Sequence, residues 1–253
     1  MSSKIKKILV SQPRPASDKS PYFEIAEKHQ VEISFRPFIK VEGIPIKEFR
    51  QQRIQILDFS AIVFTSRTAV DNFFTICEEL RITVPESMKY FCSSESTALY
   101  LQKYIVYRKR KIFFSKTGKI EGLSSTFTKH NKEKFLFPVS EQHNDDVASA
   151  LESKKLDYTK SVMYRTVSND FEEGEKLDYD LLIFFSPLGV SSLMKNFPGF
   201  VDNHMAIGCF GKSTADTLKE AGITVDIEAP APGIPSMTAA LDQFLEENHK
   251  KNS

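Results

Sequence analysis

Four turns in this chain place hydroxylated or cationic side chains where a helix is expected to begin: Thr65-Ser66-Arg67-Thr68, Ser94-Glu95-Ser96-Thr97, Ser186-Pro187-Leu188-Gly189 and Gly211-Lys212-Ser213-Thr214. Each follows a short apolar run. A helix start carries unsatisfied backbone N–H groups and the positive end of the macrodipole, so small hydroxylated residues there let a carboxylate or phosphate approach. The same residue types are also the usual helix caps, so capping is the favoured reading of each turn taken singly, and it is the set of four that points to a binding cleft. Pro187 at a first helical position gives up no needed donor. Arg67 and Lys212 suit ligand carboxylates, Arg67 as a bidentate fork and Lys212 as a point charge, against the alternative of solvated helix-end charges. The Gly211-Lys212-Ser213 triplet lacks the upstream glycine of a phosphate-binding loop, which is Ala206 here, so nucleotide hydrolysis is disfavoured.

The turns come in pairs. Asp58-Phe-Ser-Ala-Ile-Val-Phe-Thr-Ser66 is echoed by Asp178-Tyr-Asp-Leu-Leu-Ile-Phe-Phe-Ser186, and Cys92-Ser-Ser-Glu-Ser-Thr-Ala98 by Cys209-Phe-Gly-Lys-Ser-Thr-Ala215, each roughly 120 residues on. A repeated strand-turn-helix edge is where α/β sheets hold ligands, so two such edges suggest one ligand gripped by two similar domains.

The elements that must position these turns follow from periodicity. Lys7–Ser11, Ser20–Lys28 and Val31–Phe35 read as strand, helix and strand. Further strands are expected at 61–65, 89–92, 111–114, 134–137 and 156–159, and again at 181–185, 205–209 and 224–227. Asn144 is expected to cap one helix and Ser236 another. Strands alternating with helices imply two mostly parallel five-stranded sheets with both faces covered. The extended pieces Arg36–Val41 and Lys160–Val167 are expected to pair as a two-stranded β linker. The resulting division is a discontinuous domain of residues 1–36 and 168–253, an inserted domain of 42–160, and a ladder of 37–41 with 161–167. Ser168–Lys176 reads as a surface excursion.

Composition narrows the function. The net charge of +1, from 34 basic and 33 acidic residues, supplies no chain-wide field for nucleic acid, so anion binding has to be local. Arg108-Lys-Arg-Lys111 reads as a solvated turn. No apolar run approaches the ~20 residues of a membrane helix, and the basic N-terminus lacks a secretory apolar core; the chain reads as cytoplasmic, with no membrane partner. Cys77, Cys92 and Cys209 form no metal or disulfide pattern and are expected as buried thiols. His29, His130, His143, His204 and His249 sit in polar settings and are expected on the surface, with no metal site. Tyr164 lies mid-strand in the expected crossing, where packing and a hydroxyl facing a cleft are both open readings.

Taken in order, Ile62-Val-Phe-Thr-Ser-Arg-Thr-Ala-Val70, Val162-Met-Tyr-Arg-Thr166, Phe184-Phe-Ser-Pro-Leu-Gly-Val190 and Gly211-Lys-Ser-Thr-Ala215 followed by Leu218-Lys-Glu-Ala-Gly222 resemble the uroporphyrinogen-III synthase family. The resemblance covers nearly the whole chain. It implies two flavodoxin-like (Rossmann-like) α/β domains joined by a two-stranded linker, no cofactor, and cyclisation of the polycarboxylate hydroxymethylbilane to uroporphyrinogen III with inversion of the terminal pyrrole ring. It further implies Tyr164 as proton donor to the departing hydroxyl. Thr65, Ser66, Arg67, Ser186, Pro187, Gly189, Gly211, Lys212, Ser213 and Thr214 would then bind substrate. The enzyme is expected to act as a monomer, with transient hand-over of substrate from the preceding enzyme. Two positions depart from the pattern: Ser11-Gln12-Pro13 stands where many members have Thr-Arg-Pro, and Ser94 where a glycine is usual. A non-catalytic protein that closes on an anionic ligand is the alternative on the same scaffold.

Overall fold

The computed structural model describes residues 4–172, 174–200, 202 and 205–251. In chain order the elements begin with β1 (Lys7–Val10), α1 (Pro21–His29), β2 (Glu32–Phe35), β3 (Ile39–Gly43), α2 (Ile46–Gln51), β4 (Ala61–Phe64) and α3 (Arg67–Glu79). They continue with β5 (Lys89–Cys92), α4 (Glu95–Tyr100), β6 (Ile112–Phe114), α5 (Ser124–Lys129), β7 (Lys134–Ser140), α6 (Asp146–Ser153) and β8 (Asp157–Ser168). The last are β9 (Leu181–Phe184), α7 (Pro187–Asn196), β10 (Ala206–Phe210), α8 (Lys212–Glu220), β11 (Ile227–Ala229) and α9 (Met237–Lys251). The chain divides into two units, Met1–Lys40 with Val167–Ser253, and Val41–Thr166.

The first unit holds a five-stranded sheet in the order β2-β1-β9-β10-β11, every pair parallel. Numbered by appearance this is 2-1-3-4-5, a doubly wound order. Side chains alternate between its faces with period two. Ile8, Val10, Leu181 and Ile183 pack into one core with α1 and α9, while Leu9, Leu182 and Phe184 enter the other with α7 and α8. Such strands are buried on both sides, which is why they read as unbroken apolar runs.

The second unit holds a six-stranded sheet, β3-β8-β7-β4-β5-β6. Apart from the edge strand β3, its order by appearance is 5-4-1-2-3. Superposing β4 on β9 and β5 on β10, as the repeated segments require, sets β6 on β11, β7 on β1 and β8 on β2. Both units therefore contain the same parallel sheet, and the chain enters it at a different strand in each. Ile62 and Phe64 face one core and Ala61 and Val63 the other, again with period two.

Phe91 on β5 organises the second of these cores. It is 0% exposed and contacts Phe113, Phe127 and Phe135 at ring-centroid distances of 4.9, 5.2 and 5.1 Å. His130 caps the cluster edge-on, 5.5 Å from Phe91. Burial first, and then the neighbouring Lys89 charge, push the His130 pKa below its ordinary 6.5. The unfolded chain therefore takes up this proton before the folded one. The His130 contribution to stability is complete above the unfolded value and is lost as pH falls through it toward the folded value. Urea midpoints should fall between about pH 7 and pH 5, and His130→Gln should flatten that slope. An equally steep slope in the variant would assign the titration to another group.

Several sequence expectations are corrected. Asp145, not Asn144, is the residue before α6, and Asn144 Nδ2 instead donates to the Asp146 carboxylate at 3.0 Å. The expected break between Thr159 and Lys160 does not exist: β8 is one 12-residue strand, since its pairing with β7 runs unbroken from Lys134↔Asp157 to Val139↔Val162. The last strand lies at 227–229 rather than 224–227, because Gly208, Cys209 and Phe210 pair with Ile227, Glu228 and Ala229. The segment after β8 is more than a surface excursion. Phe171 packs edge-on to Phe38 at 4.8 Å and carries the Arg36 guanidinium 3.9 Å above its ring. His29 is buried, with Nε2 2.7 Å from Asp242 Oδ1 on α9, whereas His143 is exposed and His204 lies outside the described residues. All three cysteines are buried free thiols, and burial pushes the pKa of Cys77 and Cys92 up to about 12 and that of Cys209 to about 11. No helix among the described residues is long and apolar enough to cross a membrane.

Candidate active site

Three of the four turns have one geometry. Ser66, Ser94 and Ser186 are extended, with φ/ψ of −153/161°, −148/159° and −157/152°. In each, the serine Oγ accepts from the amide three residues on: Ala69 at 3.1 Å, Thr97 at 3.3 Å and Gly189 at 3.1 Å. The capping reading is therefore realised in all three, and the first two helical amides are left over after Ser66 and Ser94, but only that of Leu188 after Ser186, because Pro187 has none. Gly211 differs, with φ 90° and ψ 142° and its own N–H donated to Ala229 O at 2.6 Å. That backbone region favours glycine, so any side chain here is strained.

In the first unit β9 and β10 are neighbours, which sets Ser186, Pro187 and Gly189 beside Gly211, Lys212, Ser213 and Thr214 at the carboxyl ends of the strands. Their accessibility varies. Gly189 is buried, and a Cβ there would sit 3.4 Å from Ser186 Oγ. Thr214 is 1% exposed and is a packing residue. Ser213 and Lys212 are exposed, but the Lys212 ammonium pairs with Asp216 one turn on at 2.8 Å. In the second unit Thr65, Ser66 and Arg67 follow β4 and stand beside the Ser94 turn after β5. The Ser93 hydroxyl donates to Thr65 O at 3.0 Å and ties the two turns together. Arg67 is exposed, with its guanidinium carbon 5.3 Å from the centre of the Tyr100 ring.

Tyr164 belongs to this same end of the second sheet. It is opposite Ser140, the last residue of β7, just past a register shift at Val139/Ser140. A bulge of this kind re-aims side chains at strand ends. The Tyr164 ring is half-buried against the core that includes Ile62 and Phe64. Its carbonyl accepts from Glu141 N at 2.8 Å, and its hydroxyl makes no hydrogen bond among the described residues.

A group of residues was missed from sequence. A cleft of about 470 Å³ is lined by Ser94, Glu95, Ser96, Phe114, Ser115, Lys116 and Gly118. It lies at the carboxyl ends of β5 and β6. The signal was present, since Phe114-Ser115-Lys116-Thr117-Gly118 repeats the grammar of apolar strand followed by small polar turn. The turn is held by Ser115 Oγ, which is buried and accepts from Thr117 N at 3.2 Å. A smaller pocket of about 190 Å³, between Met88, Tyr90, Ile105 and Ile112, is at the opposite end of the same strands and away from every turn described. Among the described residues no three His, Cys, Asp or Glu side chains gather as a metal site.

The geometry can be set beside known proteins. A family model described as uroporphyrinogen-III synthase HemD matches residues 20–239. Among solved structures, uroporphyrinogen-III synthetase from Helicobacter pylori 26695 is 19% identical, with 96% of this chain and 100% of that one covered and a TM-score of 0.55. A mutant uroporphyrinogen III synthase from the extremely thermophilic bacterium Thermus thermophilus is 14% identical over 97% of this chain and 99% of that one, with a TM-score of 0.46. A sequence search of curated proteins gives no match. The first of these structures supports the fold, and the family model, spanning most of the chain and all four turns, places the protein in the uroporphyrinogen-III synthase family.

Proposed function

We propose that this protein converts hydroxymethylbilane into uroporphyrinogen III, closing the macrocycle with inversion of the terminal pyrrole ring and loss of water. Family membership over residues 20–239 is the observation that carries the reading. The linear tetrapyrrole bears acetate and propionate arms on every ring. Amide and hydroxyl donors at the turns after β4, β9 and β10, with Arg67, supply what such a polyanion needs without a cluster of basic residues, in keeping with a net charge of only +1. Lys116, exposed on the cleft after β6, adds a cation.

Tyr164 donates its phenolic proton to the terminal hydroxyl, which departs as water and leaves a delocalised cation. The electron-rich terminal ring attacks that cation through its substituted carbon, giving a spiro intermediate from which the inverted ring is re-formed. The proton lost on rearomatisation restores the phenol. Left alone, the same cation closes to the uninverted isomer, so the protein's contribution is mainly to fix geometry. The reaction uses no cofactor, and the chain works as a cytoplasmic monomer that receives its substrate directly after synthesis.

The test is to supply freshly generated hydroxymethylbilane and separate the type I and type III products. Type III product above the spontaneous background is expected. Type I alone, with the linear substrate still bound and protected, would identify a non-catalytic binding protein on this scaffold.

A further inference from the structure

Arg67 is the first residue of α3, at the positive end of the helix dipole, where a cation gains nothing from the helix itself. Its natural partner within the helix is Asp71, one turn on at i+4. That carboxylate is already engaged. Tyr100 Oη donates to both its oxygens at 2.9 and 3.0 Å, Lys103 Nζ donates at 2.8 Å, and Tyr104 Oη makes a further short contact. Tyr104 is itself fixed by stacking on Phe74, 4.4 Å away and nearly coplanar. Burial pulls the Asp71 carboxyl upward, but the bonds from Lys103, Tyr104 and Tyr100 outweigh it and hold it below the usual aspartate value. The group is thus held ionised and is already met by three donors. Among the described residues Arg67 makes no ion pair, and its guanidinium lies over the ring of Tyr100 instead.

We propose that Tyr100 is the positioning residue for Arg67. Its hydroxyl is one of three donors on Asp71, and Lys103 and Tyr104 keep that carboxylate engaged without it. Its ring holds the guanidinium by a face contact that consumes none of the N–H donors. Arg67 is thereby presented with a free fork beside the Ser66 turn. Tyr100 ends α4, the helix that starts at Ser94, so the neighbouring turn of the sheet supplies the platform. This rests on the reading of Arg67 as a carboxylate contact.

Two replacements separate ring from hydroxyl. Tyr100→Leu removes the platform and should raise KM for hydroxymethylbilane by about three- to tenfold with kcat within twofold of the parent. Tyr100→Phe keeps the ring and should restore KM to within twofold of the parent, a rescue that a merely structural role for the hydroxyl would not give. Arg67→Ala should raise KM by at least as much as Tyr100→Leu, and adding Tyr100→Leu to it should change nothing more. Independently of substrate, the Arg67 Nε–H resonance should carry a ring-current shift that Tyr100→Phe retains and Tyr100→Leu abolishes, with thermal midpoints confirming that each variant folds. Raised KM in Arg67→Ala beside parental KM in Tyr100→Leu would overturn the role of Tyr100 alone. Parental KM in Arg67→Ala would overturn the carboxylate contact itself, and the purpose assigned to Tyr100 with it.

Discussion

Tyr164→Phe is expected to lower kcat for type III product by roughly 10²-fold or more, the scale of a lost general acid, with little change in KM or in thermal stability. The argument is geometric. The ring of Tyr164 is half-buried against the core containing Ile62 and Phe64, and phenylalanine fills the same space. Its hydroxyl has no hydrogen-bond partner among the described residues, so removing it leaves no buried group unsatisfied and costs the fold little. What disappears is a proton donor at the carboxyl end of the second sheet, two strands from Ser66. The spontaneous route remains open, so the variant's products should also shift toward the type I isomer. Type III formation at the parental rate would remove Tyr164 from the chemistry and reduce it to a packing residue.

The largest loss of stability should come from Phe91→Ala. Truncating a fully buried phenylalanine typically costs about 3–5 kcal/mol, the transfer term plus the cavity left behind. Phe91 belongs at the upper end of that range. It sits at the centre of three other phenylalanine rings and His130, on a strand paired on both sides, so the surroundings have little freedom to collapse into the gap. Phe91→Leu should cost markedly less, because it retains most of the apolar volume. Urea denaturation followed by a probe in the second unit measures both. Equal midpoints for the alanine variant and the parent would show that the aromatic cluster does not hold this sheet together.

The central strands were easy to read because burial on both faces leaves no ambiguity: Ala61–Phe64 and Leu181–Phe184 are apolar at every position and lead into a serine turn. Edges and ends were harder. The strand boundary near Thr159 was misplaced because one continuous pairing with β7 carries the exposed and half-buried Asp157–Lys160 straight into Ser161 and Met163, which are buried. At the last strand, Thr224-Val225 has the stronger local preference, but pairing with β10 selects Ile227–Ala229, where Ile227 packs over Gly208. The repeat was visible only in two segments because the second unit is a circular permutation of the first. β4 and β5 match β9 and β10 in sequence order, whereas β7 and β8 match β1 and β2 across a changed connectivity. For the site, the serine caps were legible as residue types, but burial was not. Thr214 and Gly189 carry the same signature as Ser213 and Ser66, yet helix phase turns them into the core. The turn at Ser115–Gly118 was passed over because β6 is short and its helix is delayed by a run of 3₁₀ backbone from Ile120 to Leu123.

Pro187 has a consequence for how acid groups can be sorted. With the third amide of α7 claimed by Ser186 and none on proline, that helix start keeps one uncommitted N–H, on Leu188. The starts of α3 and α8 each keep two, on Arg67 and Thr68 and on Lys212 and Ser213. A carboxylate can be chelated through both oxygens at the latter two corners but only tethered through one at α7. On the proposed function, the neighbouring starts of α7 and α8 in the first unit would hold substrate carboxylates with unequal denticity, so the backbone itself tells one acid arm from another before any catalytic group acts.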